Sequence, residues 1–196
     1  MQTLTIGADA LEPGETGNFK IEKLTKDQVP WIEVVNNKAI VDITQITNIV
    51  MTGNVAPVFM AQWFMGYSSL LIFNGQNMDS QYCTDFSELF MGDANLATIN
   101  IASWDTMRVG DAQRQDMFAG CVKLSTLTIG KGVNLVNTGI EGLDKHTADD
   151  GTWVRQESNT DSWKGSSQDF IDRYNGPASE GSTMLGDDPA IYLFDT

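Results

Sequence analysis

The chain has 196 residues, enough for one domain with its own apolar core. Its 26 Asp and Glu against 12 Lys and Arg leave a net charge of −14. That excludes nucleic-acid binding, which needs clustered cations, and adsorption to anionic membrane surfaces, and it suits a soluble monomer.

No stretch of 18 apolar residues occurs, so no membrane insertion is expected. The first residues lack a basic segment followed by an apolar one, so a signal peptide and any wall anchor of an exported form are expected outside this sequence. Two cysteines and a single histidine leave little room for a disulfide framework, a zinc site or a histidine-based triad.

Residues 1–39 read as an N-terminal cap. Leu4-Thr5-Ile6 is a short strand, Glu12-Pro13-Gly14 opens a loop, and Pro30 to Val35 is a strand ended by the turn pair Asn36-Asn37.

Residues 40–142 contain a repeat, which appears when the chain is laid over itself. The clearest unit is Phe118, Cys121, Leu124, Leu127, Ile129, with the pattern F-x-x-C-x-x-L-x-x-L-x-I. An earlier unit is Phe90, Asp93, Leu96, Ile99, Ile101; before it stands Phe64, Tyr67, Leu70, Phe73, Gly75; a weaker one is Ile40, Ile43, Ile46, Ile49, Met51. The last two residues of each pattern alternate, as on the buried face of a strand. The three-residue spacing before them predicts one or two turns of helix. One unit cannot enclose its apolar face, whereas stacked units can, with their strands pairing in parallel. The expected fold is therefore an α/β repeat, a short leucine-rich-repeat-like solenoid between two caps.

After Ile129, the segment Gly130 to Val136 predicts a hairpin or closing strand. Residues 143–196 read as a small α+β C-terminal cap: a strand at Gly151 to Arg155, a helix over Ser166 to Tyr174 with a serine cap, and a strand at Ala190 to Phe194.

Met117 to Ile129 resembles the M-F-x-x-C-x-x-L-x-x-L-x-L signature of the BspA-like leucine-rich repeat surface proteins of Gram-positive bacteria. Trp104-Asp105-Thr106 resembles the element that opens that family's inter-repeat segment, and Gly151-Thr152-Trp153-Val154 resembles its closing module. Asp93 departs from the pattern, since the family favours cysteine or a small residue there. The resemblance implies an exported, wall-associated, extracellular protein that binds or adheres, and it brings no catalytic residues.

Candidate site residues are few. Trp153, Trp163 and Tyr174 lie in a polar stretch and form either a local core or a platform for stacking sugar rings or a protein surface. Trp63 and Trp104 are expected in the core, and Cys83 and Cys121 as reduced, buried thiols. His146 is expected in an exposed loop, where Asp144, Asp149 and Asp150 offer carboxylates to Ca²⁺ without the spacing of a known calcium loop; no other cofactor is expected. The pairs Asp111 with Asp116 and Asp79 with Asp85 are the carboxylates a polysaccharide-acting enzyme would need, but nothing marks one pair above the other. The chain is thus expected to be non-catalytic, contacting an extracellular protein or glycan, with a structural spacer as the alternative.

Overall fold

The structure, a computed structural model, describes residues 2–7, 34–35, 38–39, 42–52, 55–130, 132–146, 152–156, 164–175 and 190–195. In chain order the strands are β1 (Gln2–Gly7), β2 (Val34–Val35), β3 (Lys38–Ala39), β4 (Ile46–Thr52), β5 (Ile72–Asn74), β6 (Thr98–Ile101), β7 (Thr126–Ile129), β8 (Thr152–Gln156), β9 (Lys164–Gly165) and β10 (Ala190–Asp195). One α-helix, α1 (Ser167–Asn175), and short 3-10 turns at Ile43–Gln45, Asp111–Gln113 and Ile140–His146 complete the described elements.

Eight strands form one sheet in the order β1-β4-β5-β6-β7-β10-β8-β9. The first five are parallel; β10 joins β7 antiparallel and is followed by antiparallel β8 and β9. β2 and β3 pair separately as a small hairpin.

The register aligns Ile49 with Phe73, Phe73 with Ile99 and Ile99 with Leu127. These steps are the 24, 26 and 28 residues that separate successive copies of the motif, and hydrogen bonds between units recur at the last two intervals, from Tyr67 N–H to Asp93 and from Asn134 N–H to Thr106 Oγ1. All four side chains are fully buried, because alternation along a strand sends every second residue to one face. Behind them the motif phenylalanines form a stack: Phe64 lies 5.7 Å from Phe90, and Phe90 lies 6.1 Å from Phe118 with rings 4° from parallel. Leu70, Leu96 and Leu124 fill the next row, with Ile101 and Ile129 at the strand ends.

The three-residue spacing before each strand does not make a helix. Residues 61–66, 87–92 and 114–120 are runs of turns. Gln62, Glu88 and Asp116 take positive φ, as do Gly66, Gly92 and Gly120 four residues later, and each such residue ends helical propagation. Alternate amides bond within the turn, as Trp63 N–H does to the Met60 carbonyl; the others cross to the following unit, as Phe64 N–H does to Leu89 and Phe90 N–H does to Met117. A second ladder of backbone hydrogen bonds thus lies opposite the sheet.

Gly130 and the residues from Gly132 to Val136 are likewise not a closing strand. Gly130 packs directly on the preceding unit, where a Cβ would lie 2.1 Å from the Ala102 carbonyl oxygen, and Val133 and Leu135 turn inward. The strand that closes on β7 is β10, from the far end of the chain.

Candidate binding surfaces

Residues that alternate with the buried ones form the outer face of the parallel strands. One row runs Thr3, Asn48, Ile72, Thr98, Thr126, and the next Thr5, Val50, Asn74, Asn100, Thr128. Adjacent positions in a row are about 4.8 Å apart, the spacing of paired strands. Neither row holds a charged residue, although the chain carries a net charge of −14. The face combines hydroxyls and amides with one well exposed apolar side chain, Ile72, at 43 %. Some of its polar groups bond across strands: Asn100 Nδ2 donates to Gln76 Oε1 at 2.8 Å, and Asn48 Nδ2 to Thr3 Oγ1 at 3.4 Å.

The segments that lead from each strand back to the turns form another side. Here Asp79, Asp85 and Asp105 each accept a hydrogen bond from the backbone amide two residues on, and Asn134 does the same. These side chains hold tight local turns. The carboxylates of the pairs Asp79 with Asp85 and Asp111 with Asp116 all have local partners: Asp79 also binds the Gln81 side-chain amide, Asp85 the Ser87 hydroxyl, Asp111 the Arg114 guanidinium and Asp116 the Gln115 side-chain amide.

Arg114 stands in a core row. The amides of Met60 and Phe86 donate to the residues just before Phe86 and Arg114, so the three side chains occupy equivalent slots, all buried. The Arg114 guanidinium donates to the carbonyls of Thr106 and Val109 and to Asp111. Burial disfavours its charge, and Asp111 partly offsets this.

Asp93 takes the cysteine slot of its unit and is fully buried. Burial pushes its carboxyl up to about 9, against the opposing effect of backbone amides. Both thiols are free and buried. Cys121 Sγ–H donates to the Phe90 carbonyl at 3.2 Å, and desolvation by burial raises the pKa of both cysteines, that of Cys83 to about 12.

Of the two alternatives, local core or stacking platform, Trp153 takes the first. Its side chain is fully buried, stacks on Phe170 at 5.2 Å and donates from Nε1 to Ser167 Oγ at 2.8 Å. It joins α1 to the sheet and has no face free for a sugar ring. Tyr174 lies in α1 with its side chain outside the described residues, and Trp163, Asp149 and Asp150 lie outside them altogether. Asp144 and His146 belong to the 3-10 turn Ile140–His146, their side chains also undescribed. Among the described residues no three His, Cys, Asp or Glu side chains converge as a metal site would require, and no helix is long and apolar enough to cross a membrane.

The outer-face residues were not singled out by the motif, because it marks only what is buried. The signal for them is the same alternation read at the intervening positions. Comparison with protein-family models, with curated proteins and with solved structures finds no match, so the functional reading rests on these surfaces.

Proposed function

We propose that the chain is a non-catalytic binding module of an exported, cell-surface protein, built as a short leucine-rich-repeat-like solenoid with a cap at each end. The observation that carries this reading is the uncharged outer face of the five parallel strands. In so acidic a chain, two straight rows without a single charge form a surface suited to a neutral, hydrogen-bonding partner: an extracellular glycan or a polar protein surface. Stacked units offer such extended faces because each adds one more strand. The in-register motif residues and the stacked Phe64, Phe90 and Phe118 rings support the solenoid reading.

A glycan array and an adsorption assay on mucin and matrix proteins test the function. The chain is expected to be retained on at least one surface. The doubly substituted Thr98→Arg/Thr126→Arg protein, which places two charges in one row, is expected to bind roughly tenfold more weakly, a loss of about 1.4 kcal/mol. Blank results on every surface would remove the proposal.

A further inference from the structure

We propose that β1 is a docking edge and that its partner is β1 of a second copy of this chain, the two strands running antiparallel so that two sheets become one. β1 ends the strand order: β4 takes one of its edges, and among the described residues no strand pairs with the other. A strand paired on one side leaves alternate N–H and C=O groups pointing away from its neighbour, and another extended backbone is what complements them. The row of core side chains also stops short here. Leu4 aligns with Ile49, and Ile6 with Met51. β4 lies between β1 and β5, and its Ile49 and Met51 are fully buried; Leu4 and Ile6, on the outermost strand, are only partly so.

The two ends of the sheet differ. β9, at the far end, is two residues long and carries Lys164; shortness and lysine are common guards of an edge. β1 is six residues long, has neither charge nor proline, and keeps a regular register with β4 from Thr3 to Gly7. Its sequence also suits its own copy. A two-fold axis at Thr5 sets Thr5 opposite Thr5 of the second copy, and Leu4 opposite the second copy's Ile6. Residues opposite each other in an antiparallel pair share a face, so apolar meets apolar on the core side and threonine meets threonine outside. The edge is therefore self-complementary, as a two-fold interface requires. An extended segment of another protein would fit the backbone equally; the alternation of Leu4 and Ile6 with Thr3 and Thr5 about one centre favours the second copy. The net charge of −14 suits a monomer, but none of it falls on this strand. Pairing also carries the uncharged outer rows, through Thr3 and Thr5, into the second copy.

The test measures the mass of the full chain in solution by sedimentation over a wide concentration range. A monomer–dimer equilibrium is expected. It should strengthen as salt is added, because the seam is uncharged and salt screens only the repulsion between two acidic bodies. Thr5→Lys, at an exposed position, sets like charges opposite each other and is expected to weaken the dimer roughly tenfold while the chain stays folded by circular dichroism. Thr5→Val is expected to keep the dimer. Thr98→Arg/Thr126→Arg is expected to dimerise like the parent, which separates this edge from whatever the outer face binds. A short bis-maleimide is expected to link Thr5→Cys into covalent dimers and to leave Thr98→Cys unlinked, the native cysteines being buried. Monomers at every concentration and salt would overturn the proposal and leave the edge to a strand of another protein. So would undiminished dimerisation of Thr5→Lys, or equal cross-linking of the two cysteine variants.

Discussion

The amide of Tyr67 donates to Asp93 Oδ1 at 2.7 Å, while the other oxygen of that fully buried carboxyl has no hydrogen-bond partner among the described residues. Asp93 is thus a neutral acid inside the core at neutral pH. Its pKa near 9 when folded lies far above the unfolded value of about 3.9. A raised folded pKa means that the stability it contributes is intact below about pH 4 and is lost progressively as pH rises towards 9. Asp93→Asn keeps an acceptor for the Tyr67 amide and cannot ionise. Urea unfolding at pH 5, 7 and 9 is expected to show the variant gaining on the parent as pH rises, by about 2–4 kcal/mol at pH 7. A constant difference across that range would rule this assignment out.

Gly75 is where the third and fourth units carry Ile101 and Ile129, and Trp104 from the next segment uses the space. Its Nε1 donates to the Gly75 carbonyl at 2.9 Å. A Cβ on Gly75 would lie 2.7 Å from Phe73 Cε1 and 2.8 Å from Trp104 Cζ2. Gly75→Ala is therefore expected to cost about 1–3 kcal/mol through overpacking, measured by chemical denaturation, with a changed tryptophan emission maximum.

Arg114 and Asp111 should behave unequally although they form one ion pair. Asp111 is exposed, so Asp111→Asn is expected to cost under about 1 kcal/mol. Arg114→Met fits the slot that Met60 occupies two units earlier but leaves the Thr106 and Val109 carbonyls without their donor. Its cost is expected to be about 2–4 kcal/mol and nearly independent of salt. Comparable effects of the two substitutions would contradict this division.

Cys83 and Cys121 are expected to be inert to an aromatic disulfide reagent at pH 8 in the native protein, because burial holds both as thiols. Two equivalents should react once the chain is denatured. Rapid native labelling of either would show that its pocket opens to solvent.

The repeat motif was enough to find the register of the parallel strands. Core side chains must recur at the interval that stacks one unit on the next, and Ile49, Phe73, Ile99 and Leu127 do so at the spacings visible in the chain. The serine cap of α1 was legible for a similar local reason, and in the structure Ser166 fills it: its Oγ accepts from the Asp169 amide, while Asp169 in turn accepts from the Ser166 amide. A three-residue apolar spacing, however, is shared by a helix and by a run of turns. It reports which side chains are buried and is silent on where the amides bond. Only the neighbouring unit settled that, by accepting the N–H groups of Phe64 and Phe90 across the stack. Likewise, that Arg114 would share a row with Met60 and Phe86, and that β10 would insert between β7 and β8, depend on contacts between residues distant in the chain. Local pattern constrains which face of each segment turns inward, whereas the surfaces available to a partner are set by how those segments are laid side by side.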